Sequence, residues 1–239
     1  MNKKIAIVFI HGSGGSSNIW KNQLKLRVDY DLIALDLPSH HKSDEFPEIS
    51  LDLYVDVLKK LKERLKYQKL ILGGHSLGGA VIQAYYYRYQ NDVAAMLLCG
   101  TGGKLRVNPF ILHSLKNNYQ DYLNSLPAGA FYRKTSDIII KEYVKEASKI
   151  NPEVTYNDFK MCDNFDLLEK TSSIKVPCLI IVGNKDQLTP VKYSQFFHDN
   201  IQNSELCIIN DAGHMVMIEK PEQVNQCIEN FIQKYFNEN

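Results

Sequence analysis

Lys69-Leu70-Ile71-Leu72-Gly73-Gly74-His75-Ser76-Leu77-Gly78-Gly79 is the stretch whose reading decides the fold. Its first four residues make a short apolar run of the kind found in a buried strand. A Gly-x-Ser-x-Gly pattern then leads straight into a helical pattern starting near Leu77. A serine at so tight a strand-to-helix turn is forced into a strained backbone, with its hydroxyl exposed at the strand's end. The helix start adds unpaired N–H groups and partial positive charge beside that hydroxyl.

Working outward, short apolar runs alternate with amphipathic segments. Runs at 5–10, 32–35, 70–72, 93–99, 178–182 and 206–209 carry almost no charge. Strands covered on both faces have this composition, because neither side meets water. Helical spacing covers 50–67, with Ser50 as N-cap, and also 77–90, 190–199 and 221–236. The last two begin with proline, which a first helical turn tolerates. A weaker helix spans 18–27. The alternation predicts an α/β protein, with a six-stranded, mostly parallel sheet flanked by helices. Between 103 and 172 the alternation stops. Three helical candidates, 109–126, 135–150 and 152–170, form an inserted helical cap on a core of 1–102 and 173–239.

Composition excludes several function classes. The chain has 239 residues, with 28 Lys+Arg against 27 Asp+Glu and a net charge of +1, too balanced for a protein built to grip nucleic acid. Met1-Asn2-Lys3-Lys4 ahead of an apolar run resembles a signal peptide, but the run breaks at His11-Gly12, too short for one and far short of a membrane span. The five cysteines (Cys99, Cys162, Cys178, Cys207 and Cys227) are widely spaced, with no Cys-x-x-Cys pair. Reduced thiols and a cytoplasmic location are expected, without a zinc site.

A serine hydroxyl needs a base to become a nucleophile, and the base needs an orienting acid. Asp186 follows the run at 178–182 and His214 follows the run at 206–209. Both therefore fall past carboxyl ends of strands, on the edge that carries Ser76. In this arrangement His214 takes the serine proton, while Asp186 fixes its tautomer and stabilises the imidazolium. Asp199 and Asp211 compete less well for the acid's role, one late in a helix and the other three residues before His214. After the first strand, His11-Gly12-Ser13-Gly14-Gly15 lacks both the Gly-Lys-Ser/Thr of a phosphate loop and a Gly-x-Gly-x-x-Gly pattern. It suits an oxyanion hole made by the backbone N–H groups of Ser13 and Leu77. His75 and His11 are expected to pack or brace, and His40 and His41 have no third metal ligand in view.

These residues resemble the α/β-hydrolase superfamily, in its esterase-like branch with a helical cap. The resemblance covers nearly the whole chain. It rests on His11-Gly12, Trp20, Asp36-Leu37-Pro38-Ser39-His40, the elbow at 74–79, Asp186 and Gly213-His214. Members usually begin with a hairpin ahead of the strand leading to His-Gly, whereas here the chain enters that strand directly, so six parallel strands are expected. Their second loop usually reads Asp-x-Pro-Gly-His-Gly-x-Ser, and here both glycines are replaced, by Ser39 and His41. The resemblance implies a serine hydrolase acting on small or medium carboxylic esters or thioesters, without cofactor or metal. It also leaves open a C–C bond hydrolase, a lyase or perhydrolase on the same three residues, or a ligand-binding protein that keeps only the fold.

Overall fold

The structure, a computed structural model, describes residues 5–236. Lys3 and Lys4, part of the signal-like N-terminus, lie outside the described residues. Six strands form one parallel sheet: β1 (Ile5–Ile10), β2 (Asp31–Leu35), β3 (Lys69–His75), β4 (Val93–Cys99), β5 (Cys178–Gly183) and β6 (Ser204–Ile209). Their order is β2-β1-β3-β4-β5-β6. After β2 the chain crosses back over β1 to begin β3. The sheet's direction of growth reverses there, and connections leave the two strand ends on opposite faces, which opens a crevice. Ile10 pairs with Gly74 in this register, so the loops after β1 and β3 lie side by side.

Alternation along the strands builds two cores. Ala6, Val8 and Ile10 face one side, with Leu70 and Leu72. They pack against α1 (Leu51–Leu65) and α2 (Leu77–Arg88), through Tyr54, Leu58 and Val81 among others. Ile7 and Phe9 face the other side, with Ile71 and Leu97. There they meet Trp20, the short α8 (Val216–Glu219) and α9 (Pro221–Phe236). Ser50 caps α1, its hydroxyl accepting from Leu53 N–H at 3.1 Å. The segment at 18–27 is not one helix but two 3-10 turns, Ser17–Trp20 and Gln23–Lys25.

Between β4 and β5 the chain inserts a helical cap of α3 (Pro109–Asn117), α4 (Tyr119–Ala130), α5 (Asp137–Ala147) and α6 (Pro152–Asn164), with α7 (Val191–Asn200) following β5. The expected helix at 109–126 is broken at Asn118, whose extended backbone ends α3 while its side chain accepts from Gln120 N–H and starts α4. Apolar periodicity runs through such a break unnoticed, because an asparagine cap interrupts the backbone and not the stripe. The cap has its own small core around Leu115, Tyr122 and Leu126.

One expectation is corrected. Cys207 on β6 and Cys227 on α9 are joined by a disulfide, while Cys99, Cys162 and Cys178 are free and buried. The pairing arises because α9 packs back along β6, a tertiary neighbourhood that cysteine spacing does not reveal. The expectation of wholly reduced thiols, and with it one support for a cytoplasmic location, fails at this pair. Among the described residues, no helix is long and apolar enough to cross a membrane.

One of the tightest joints in the fold is where α2 starts against β1. A Cβ on Gly78 would lie 2.3 Å from Ile10 O and 2.7 Å from His11 O. Both obstacles are backbone, so no rotamer change relieves them. Gly78→Ala is expected to destabilise the protein by about 3 kcal/mol, as severe overpacking does. Urea unfolding would register this as a lower midpoint at unchanged slope.

Candidate active site

Ser76 stands at the turn between β3 and α2 with φ 52° and ψ −116°, a backbone region that residues with a side chain rarely adopt. Its N–H donates to Cys99 O at 3.1 Å, tying the turn to β4. His75 and Leu77 on either side are buried, while Ser76 is partly exposed. The turn thus isolates one hydroxyl at the sheet's edge.

Asp186 and His214 arrive from the loops after β5 and β6. Asp186 Oδ2 accepts from His214 Nδ1 at 2.9 Å. Its other oxygen accepts from the backbone N–H groups of Leu188 and Thr189, at 2.9 and 2.8 Å. Thr189 Oγ1 donates to Oδ2 at 2.8 Å. Burial on its own would raise the Asp186 carboxyl, but His214 and these hydrogen bonds outweigh it and hold the group below its ordinary value. The carboxylate is therefore charged and aimed. Thr189 was not singled out in the sequence; its signal is the Asp-x-x-Thr spacing just before a helix, a local capping pattern.

Ser76 and His214 line one pocket, together with Gly12, Ser13 and Thr189. Among the described residues no direct hydrogen bond joins Ser76 to His214. Ser13 lines the same space and Leu77 directly follows Ser76; the N–H group of neither donates to a protein acceptor among the described residues. The pocket, about 80 Å3, is lined on its cap side by Ile111, Tyr122, Leu126, Tyr143, Phe159 and Cys162. Arg106 and Asn108, just ahead of α3, add polar groups at its rim. The remaining acids stay away: Asp199 accepts from Gln195 on α7, and Asp211 is exposed. No group of three or more His, Cys, Asp and Glu suited to a metal occurs among the described residues.

His75 and His11 are buried braces. His75 Nε2 donates to His214 O at 3.1 Å, and the two rings lie 4.5 Å apart. His11 Nε2 accepts from Leu37 N–H at 3.0 Å, while its Nδ1 donates to Gly12 O at 2.8 Å. These bonds fix each tautomer and the height of the loops they touch.

A family model described as the alpha/beta hydrolase family matches residues 7–226. The chain belongs to that family. A solved structure of a thermophilic esterase is 39% identical and superposes with a TM-score of 0.87, covering 96% of this chain and 90% of that one. A 2-hydroxy-6-oxononadienedioate/2-hydroxy-6-oxononatrienedioate hydrolase of Escherichia coli is 27% identical, over 95% of this chain and 86% of its own. A monoacylglycerol lipase of Bos taurus is 24% identical, over 96% of this chain and 75% of its own. As an alpha/beta hydrolase the chain departs from the usual sequence at Ser39 and His41. Both keep the positive φ that glycine would supply there, 65° and 45°.

Burial pushes the His11 imidazole down to about 3, with His40 nearby adding to the shift. Burial and then His214 likewise hold His75 well below its ordinary value. In the unfolded chain both protonate near pH 6.5, so there the unfolded state binds protons that the folded one refuses. Unfolding free energy should therefore fall as pH drops from 6.5 to 5.5, by about 1 kcal/mol for each of these two histidines, whereas the raised His40 imidazole contributes with the opposite sign. Asp186 adds nothing in this window, because its contribution is lost only at pH values below the ordinary carboxylate range. Burial raises Glu219, so its contribution has the opposite sign and is fully present only below that range. Urea titrations at stepped pH measure the slope, and a flat profile would mean that both rings charge in place.

Proposed function

We propose that the protein is a carboxylic ester hydrolase that works through an acyl group held on Ser76, with His214 as base and Asp186 as its orienting acid. The reading is carried by the buried Asp186–His214 pair, 2.9 Å apart, on one pocket with a serine in a strained turn. The 39% identity to a thermophilic esterase supports it. Residues 103–172 act as the cap, on a core of 1–102 and 173–239.

His214 Nε2 removes the Ser76 proton as Oγ attacks the carbonyl carbon of the ester. The negative charge that develops on the carbonyl oxygen is received by the N–H groups of Ser13 and Leu77, each such donor contributing about 3 to 4 kcal/mol. Collapse of the tetrahedral species breaks the ester C–O bond, and His214 returns the proton to the leaving alcohol. Water then attacks the acyl-serine by the same route, releasing the acid and restoring Ser76. A small, mainly apolar pocket under aromatic cap residues favours short acyl groups, from esters or thioesters.

The similarity to an Escherichia coli hydrolase named for dienedioate and trienedioate substrates supports a second reading, in which the same three residues cleave a C–C bond. A panel of p-nitrophenyl esters of increasing chain length, set against a vinylogous diketone acid, separates the two. Ester turnover exceeding diketone cleavage is expected, and the reverse preference would replace the first reading with the second.

Ser76→Ala should lower turnover of p-nitrophenyl acetate by about a thousandfold or more and abolish labelling by a fluorophosphonate probe. Asp186→Asn should cost a comparable factor by misorienting His214. Near-normal turnover in the serine variant would assign the chemistry to another nucleophile. In the aspartate variant it would pass the orienting role to another carboxylate.

A further inference from the structure

The cap contributes more than a roof. Asp158 on α6 is completely buried, and three donors from three parts of the core converge on its carboxylate. Gly14 N–H and His40 Nε2 both donate to Oδ2 at 2.9 Å, and the Tyr54 hydroxyl donates to Oδ1 at 2.7 Å. His40 and Tyr54 are themselves fully buried. His40 Nδ1 lies 2.9 Å from Pro38 O, so its ring is held at both ends. Burial on its own would lower the His40 imidazole, but the charge of Asp158 and its hydrogen bond outweigh it and raise the group.

The same helical face touches the loop after β1 twice more. Thr155, Asp158 and Cys162 recur at three-and-four spacing and so share one side of α6. Thr155 Cγ2 lies 2.7 Å from where a Cβ on Gly14 would be, and Gly14 has a φ of 59°, so that close approach requires glycine. Two turns further along, Cys162 Sγ lies 3.4 Å from Ser13 Oγ. Gly15 N–H closes the loop on Gly12 O at 3.1 Å. The loop bearing Ser13 is thus pressed against one helix face and tied to it by a buried carboxylate.

We propose that Asp158 is a positioning residue for the oxyanion hole: it anchors the peptide at Gly14 and so sets the direction of the adjoining Ser13 N–H. This rests on the ester-hydrolase reading of Ser76, Ser13 and Leu77. On that basis the cap reaches catalysis through the backbone of the loop after β1, besides lining the pocket. A charged acceptor suits the task, because hydrogen bonds to a carboxylate are shorter and stronger than those to neutral groups. The Ser13 N–H has to be aimed before charge develops on the substrate, since a donor that must first reorient stabilises the transition state less.

The test uses the full chain with p-nitrophenyl acetate and an alkyl trifluoromethyl ketone. Ser76 Oγ bonds to the ketone carbon, the serine proton passes to His214 and the carbonyl oxygen becomes an oxyanion. The inhibitor therefore reports on the hole independently of turnover. Asp158→Ala should lower kcat by about tenfold or more, leave KM within about threefold and weaken ketone binding in parallel with kcat. Asp158→Asn keeps an acceptor for Gly14 N–H, and Tyr54 can turn its hydroxyl to accept from the new amide. It should bring kcat and ketone binding back to within about threefold of the parent. If the alanine variant does not fold, Asp158→Ser, too short to reach Gly14 N–H, is read by the same criteria.

Parent-like kcat and ketone binding in the alanine or serine variant would overturn the proposal. So would a rise in KM at constant kcat, or an asparagine variant as impaired as the alanine one. Ser76→Ala run alongside separates the two levels of inference. If it remains active, the ester-hydrolase reading fails. If it is inactive while Asp158→Ala matches the parent, only the role given to Asp158 fails.

Discussion

The close approach of α2 to the end of β1 is the constraint on which the rest of the structure depends. Gly78 sits so near Ile10 O that the helix axis comes within backbone contact of the central sheet. With α2 held there, the chain has one residue in which to reverse, and Ser76 takes a φ of 52° to do it. The strain is local, and both partners to either side, Cys99 through its carbonyl and the buried Leu77, keep it from relaxing. From that turn follow the exposed hydroxyl, the unpaired N–H groups of the helix start and the neighbouring loop after β1.

Around that turn, charge is distributed so that single groups are committed to single tasks. Asp186 is ionised despite its burial because four donors surround it. His75 and His11 are kept neutral by their burial, so the hydrogen bonds each makes stay fixed without titrating near neutrality. A second buried carboxylate, Asp158, repeats the arrangement between α6 and the loops after β1 and β2, with His40 as its partner. Among the described residues there are thus two buried histidine–carboxylate pairs. One, Asp186–His214, opens onto the pocket, whereas the other is sealed between cap and core.

Much of this was legible in the linear chain because strand ends and loop chemistry are local properties. The six apolar runs marked the strands, though the run at 70–72 grew to Lys69–His75 once its glycines paired with β1 and β4. The Gly-x-Ser-x-Gly pattern located the turn, and the order of Ser76, Asp186 and His214 pointed to one edge of the sheet. Thr189 escaped notice because a threonine in a loop is ordinary until the carboxylate beside it is placed. The break at Asn118 and the 3-10 turns near Trp20 escaped because hydrophobic spacing is blind to capping and to helix type.

By itself the sequence determined the class of fold, the strand-to-helix turn at Ser76 and the chemistry its residue types can perform. Each depends on neighbours in the chain or on a repeating pattern. Only the tertiary structure decided that Asp158 lies on Gly14, that Cys207 meets Cys227 and which cap side chains close over Ser76. Those contacts join residues from 20 to 144 positions apart. Their partners are selected by how the cap and α9 pack, and packing depends on the shape of every surface involved rather than on any local run of residues.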